Sequence, residues 1–147
     1  MRDDVPTTQT AGAELLAGFW YPALRSDEVR GTRLVATTLL DRAIVVGRDR
    51  HGRAFALGDN CPHRGIPLSC GSFDGDLVEC CYHGWRFDPH SGQCREIPSL
   101  VEGQRLKLER IVAGRFPTEE HDGYVWVYVP EEGDRDPEPP PAPRLPT

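Results

Sequence analysis

The sequence predicts an all-β fold: a small β-sandwich or barrel-like scaffold with a loop-built subdomain inserted in it. Three observations carry that expectation. Short runs rich in β-branched residues recur about every ten residues, with turn residues between them. The 147 residues include 15 glycines and 14 prolines, which favours many turns over long helices. Between residues 60 and 98 the apolar alternation weakens while glycine, proline and cysteine become dense, so this segment cannot build much core of its own.

Residues 1–18 read as a leader. The opening "MRDDVPTTQT" is polar and does not begin a secretory signal. "GAELLAGFWYPAL" predicts a short helix or turn that tucks Phe19, Trp20 and Tyr21 onto the core. A domain is expected over residues 19–130, with the insert at about 60–98. "RLVATTLL" and "RAIVVGR" read as strands joined by a tight turn at Asp41-Arg42, and "AFALGD" reads as a third strand. After the insert, "RLKLERIVAG", "RFPTEEH" and "GYVWVYVP" are further strands. The acidic, proline-rich residues 131–147 predict an extended, solvated tail or linker. Such a length suits one domain with one core.

The formal charge of −6 argues against nucleic acid as a partner, which would need a basic face. No apolar run approaches the roughly 18 residues of a membrane span, so no membrane partner is expected, and the location follows by default as cytoplasmic. In a reducing compartment an odd count of 5 cysteines argues for metal binding over a disulfide framework.

The metal-ligating candidates form two pairs. Cys61-Pro62-His63 is a C-x-H, and Cys80 with His83 is a C-x-x-H, with sixteen residues between His63 and Cys80. A Cys2His2 set suits zinc, but zinc fingers order their ligands Cys, Cys, His, His. Here the order alternates, which suits a binuclear cluster in which each turn gives sulfur to one iron and nitrogen to the other. The remaining cysteines, Cys70, Cys81 and Cys94, read as bystanders; Cys81 competes with Cys80, but its C-x-H spacing to His83 fits less well. His51, His90 and His121 read as solvated turn residues. Arg64, Arg86 and Arg95 either brace the loops or dock an acidic electron-transfer partner.

The stretch "CPHRGIPLSCGSFDGDLVECCYHGWRFDPHSGQCREIP", with "FWYPAL" before it and "DGYVWVYVP" after it, resembles the Rieske domain of Rieske non-haem iron oxygenases, over roughly residues 19 to 141. The resemblance implies a Rieske 2Fe-2S cluster with Cys61 and Cys80 on one iron and His63 and His83 on the other. It implies that Gly65 and Gly84 make room for backbone amides beside the sulfides, and that Trp85 packs over the loops. Ile66 and Tyr82 stand where high-potential respiratory relatives carry a loop disulfide. The implied function is single-electron relay from a reductase or ferredoxin to a mononuclear iron on an oxygenase catalytic domain or subunit. The spare histidines lack facial-triad spacing, so no complete oxygenase active site is expected in this chain. A self-standing Rieske ferredoxin is the alternative reading, and a structural zinc module a third.

Overall fold

The two-residue turn at Leu40 and Asp41 shows how the sequence builds the scaffold. Both residues have positive φ, 50° and 63°, and the flanking Leu39 and Arg42 pair directly. That is the backbone of a type I′ hairpin, whose twist matches that of paired strands. The structure, a computed structural model, describes residues 16–62, 65–81, 84–98, 108, 111–134 and 137–145. Within them, eleven strands run in chain order: β1 (Phe19–Arg25), β2 (Val35–Leu39), β3 (Arg42–Arg48), β4 (Ala54–Gly58), β5 (Ser72–Phe73), β6 (Val78–Glu79), β7 (Arg86–Phe87), β8 (Cys94–Glu96), β9 (Arg115–Phe116), β10 (Thr118–His121) and β11 (Tyr124–Val129).

They form three antiparallel sheets, ordered β1-β11-β10, β2-β3-β4-β9 and β5-β6-β7-β8. The third sheet belongs wholly to the expected insert. The all-β expectation holds, and the β2–β3–β4 meander is present, with its first turn at Leu40-Asp41, one residue before the expected Asp41-Arg42. "FWYPALR" is a strand, not a helix or turn: β1 pairs along β11. Pro22 lacks a donor, but β1 is an edge strand and its register slips between Pro22 and Leu24. "RFPTEEH" divides at Pro117 into β9 and β10, which join different sheets. The strand expected over "RLKLERIVAG" lies largely outside the described residues; Val112 makes only an isolated bridge to Gln93.

Strands β3 and β4 are buried on both faces, which explains why β3 reads "AIVVG" and does not alternate. Ile44, Val46 and Ala56 join Phe116, Val125, Val127 and Val129 in one apolar cluster. Val45, Phe55 and Leu57 point the other way, into a second cluster with Phe73, Val78, Phe87, Cys61 and Cys80. The insert therefore completes a layer of core. Arg48 at the end of β3 locks the scaffold: it forms a bidentate pair with Glu120 of β10, at 2.6 and 2.7 Å, and donates to the Val29 and Gly52 carbonyls.

Residues 137–145 of the tail form no helix or strand, and they are docked by hydrogen bonds rather than simply solvated. Trp20 Nε1 donates to the Pro140 carbonyl at 2.8 Å and Arg115 to that of Pro137 at 3.2 Å. Ala142 N donates to Glu119 Oε2, and Leu145 N to Asp122 Oδ2. Ala142 is buried.

Candidate cluster-binding site

Two turns in the insert repeat the same backbone pattern. Cys61 N donates to the Ile66 carbonyl at 2.7 Å, and Cys80 N donates to that of Trp85 at 2.8 Å. Each bond closes a six-residue loop with a glycine at its fifth position. Gly65 has φ +70° and Gly84 has φ +69°. An L side chain rarely adopts this left-handed backbone, so glycine is required for conformation. A Cβ at Gly65 would meet none of the chain's own atoms within 4 Å, so it is the backbone conformation that these atoms require of glycine there.

The first turn is reinforced from within. Gly65 N returns a bond to the Cys61 carbonyl at 2.7 Å. With its side-chain amide turned so that the nitrogen faces them, Asn60 donates to both the Asp59 and Gly65 carbonyls at 3.2 Å. Ile66 and Trp85, the two acceptor residues, both pack on the cluster that contains the cysteines.

The five cysteines divide sharply by burial. Cys61 and Cys80 are each 1% exposed and share one apolar cluster, whereas Cys70 and Cys81 are exposed. None of the five is in a disulfide. Cys94 is also buried, but it sits on β8 and hydrogen-bonds locally to the Glu96 carbonyl. Burial pushes its thiol pKa up, as for an inert packed cysteine. His63, His83 and Arg64 lie outside the described residues. Two buried thiols on matched turns, away from solvent, fit the sulfur half of a Cys2His2 cluster set.

The arginines beside the loops are committed internally. Arg86 pairs with Asp74 and Glu79 at 3.1 Å and with Glu96 at 3.7 Å; Arg95 lies 3.7 Å from Asp88. Three carboxylates around one guanidinium favour bracing over capture of an acidic partner. Of the three histidines expected in solvated turns, His51 and His90 are exposed there and His121 is not. His51 is exposed in its turn, but His90 Nε2 lies 2.8 Å from Asp49 Oδ2. His121 has a side chain only 7% exposed, stacked on Trp126 and 3.0 Å from Asp122.

Sequence reasoning did not find Asp59, the one buried charged residue among those described. Its carboxylate takes Ser69 N at 2.7 Å and Ser69 Oγ at 2.6 Å. No spacing rule links residues ten apart across a loop; only the directly preceding position to Asn60-Cys61 hinted at it.

This fold and paired-turn site define the chain as a member of the Rieske 2Fe-2S domain family, whose pattern it matches over residues 19–113. It therefore carries a Rieske-type 2Fe-2S cluster. The chain is 36% identical over 116 residues to the oxygenase subunit of 3-chlorobenzoate-3,4-dioxygenase from Comamonas testosteroni, covering 78% of this chain and 26% of the relative. Apo dicamba monooxygenase superposes with TM-score 0.68 and 33% identity over 81% of this chain and 36% of that one. The oxygenase–ferredoxin complex of carbazole 1,9a-dioxygenase, in its reduced state, gives TM-score 0.75 at 26% identity, covering 90% and 33%. The chain spans between about a quarter and a third of the length of the first two curated relatives. No described helix is long and apolar enough to cross a membrane.

Proposed function

We propose that Cys61, His63, Cys80 and His83 hold the cluster and that the chain is the electron-relay part of a Rieske-type oxygenase. The observation that carries the reading is the pair of matched turns, each delivering one buried cysteine to the same apolar cluster. When bound, the cluster supplies one-electron transfer. The protein's own part is to hold still. The closing bonds to Ile66 and Trp85 fix each cysteine, the apolar shell of Leu68, Val78 and Phe87 keeps water from the thiolates, and the folded sheets limit reorganisation. Cys81, exposed next to buried Cys80, is a bystander.

The electron donor would be a reductase or a ferredoxin, and the acceptor a mononuclear iron on an oxygenase catalytic domain or subunit. The 36% identity to an oxygenase subunit over 116 residues supports this, as does the likeness to the carbazole 1,9a-dioxygenase complex of oxygenase and ferredoxin. A cytoplasmic location is part of the same reading. The test is reductive titration of the purified protein, first with dithionite and then with NADH and a ferredoxin reductase. Uptake of one electron per chain, with reversible bleaching by both donors, is expected. No bleaching by either donor would refute it.

A further inference from the structure

The insert contains one feature that joins its two cysteine turns. The 3₁₀ turn Leu68–Cys70 follows the first turn directly and leads through Gly71 into β5. At one side, Ser69 is clasped by the Asp59 carboxylate through both its backbone N and its hydroxyl. Asp59 is itself fixed to the scaffold, since its N donates to the Ala43 carbonyl of β3 at 2.9 Å. Cys61 follows it by two residues. At the other side, Gly71 lies against the end of β6, directly before Cys80. A Cβ there would stand 1.8 Å from the Glu79 carbonyl oxygen and 3.2 Å from Cys81 N. Between these points, fully buried Leu68 packs in the cluster that holds both cysteines.

We propose that this turn is the spacer that sets how far apart the two cysteine turns stand, with Asp59, Ser69 and Gly71 as positioning residues for the cluster. The inference rests on the ligand assignment above. Its physical basis is the cost of the parts. A buried carboxylate is expensive unless it is fully hydrogen-bonded, and Asp59 spends both oxygens on one residue. A two-point clasp fixes direction as well as distance, which a single bond would not. Gly71 has an ordinary negative φ of −89°, so it is glycine for closeness, not conformation. Any side chain there pushes the turn off Glu79 and moves Cys80 relative to Cys61. Groups that orient the ligands of a metal site tune it without touching it.

The test compares Ser69→Ala, Ser69→Thr, Asp59→Asn and Gly71→Ala with Val127→Ala. The last is a control in the other core, buried on β11. The readouts are iron per chain, rate of iron loss to a chelator, EPR g values and reduction potential. Ser69→Ala should lose iron about 10-fold faster and shift the g values and potential, and Ser69→Thr, which keeps the hydroxyl, should restore them. Val127→Ala should lower thermal stability and leave the g values and potential unchanged. Native iron retention, g values and potential in both Ser69→Ala and Asp59→Asn would overturn the proposal, even if Gly71→Ala fails to fold. So would equal spectral shifts in Val127→Ala. Cys61→Ser and Cys80→Ser are run alongside. If they keep a native cluster, the ligand assignment itself has failed; if they lose it while the clasp variants are native, only the spacer has.

Discussion

Asp49→Asn should destabilise the protein by about 1 kcal/mol near neutral pH and by almost nothing near pH 2. Asp49 begins the β3–β4 turn, and His90 lies in the turn between β7 and β8, so their 2.8 Å contact ties the insert to the scaffold. Asp49 Oδ1 also takes the backbone N of His51 and of Arg53, each at 2.9 Å. Burial alone would raise its pKa, but the bond from His90 and the two backbone donors outweigh it and bring the carboxyl down to about 2. A depressed pKa contributes stability that is complete above the unfolded value of about 3.9 and is lost as pH falls through the folded value. The window is therefore about pH 4 to 2. At about 1.36 kcal/mol per pKa unit the full drop corresponds to about 2.5 kcal/mol. The turn is at the surface, and solvent screening reduces this to about 1 kcal/mol. Asparagine keeps an oxygen for the two backbone donors and loses both the charge and the acceptor oxygen that faces His90 Nε2. Urea unfolding of both proteins at pH 6, 4, 3 and 2 measures the gap. A gap that stays constant across the series would refute the linkage.

Gly92→Ala should cost more than 2 kcal/mol, since its φ is +77° and a Cβ would stand 1.9 Å from the Ala113 carbonyl oxygen; denaturant midpoints decide. Phe87→Ala removes a fully buried ring from the insert's core and should cost about 3–5 kcal/mol by the same measurement. Trp20→Phe keeps the ring packing but loses the bond to the Pro140 carbonyl, so the tail should become more susceptible to limited proteolysis beyond Pro130, with about 1 kcal/mol lost. Unchanged cleavage would mean that the other tail bonds suffice.

The sequence was most legible where local chemistry decides. The β-branched runs mark β2, β3 and β11, the apolar run between turn residues marks β4, and the order and spacing of Cys61, His63, Cys80 and His83 point to the cluster. It was less legible where partners are distant. His121 reads as a turn residue, but the β10–β11 hairpin lays its ring on Trp126. The proline-rich tail reads as solvated because its composition cannot show that Trp20, Arg115, Glu119 and Asp122 offer it hydrogen bonds. "FWYPAL" resembles a turn because of Pro22, and only the pairing with β11 makes it an edge strand. Within the "CC" at 80–81 spacing favours Cys80, and the burial of Cys80 beside exposed Cys81 agrees with that choice.

The central claim is that matched turns present Cys61 and Cys80, not Cys81, to a 2Fe-2S cluster. Iron and acid-labile sulfide analysis with low-temperature EPR after dithionite reduction, on the native protein, Cys80→Ser and Cys81→Ser, tests it directly. The native protein and Cys81→Ser should contain iron and sulfide in equal amounts and give the same Rieske-type signal, and Cys80→Ser should lose both. Loss of the cluster in Cys81→Ser alone, or zinc with no EPR signal in the native protein, would contradict it.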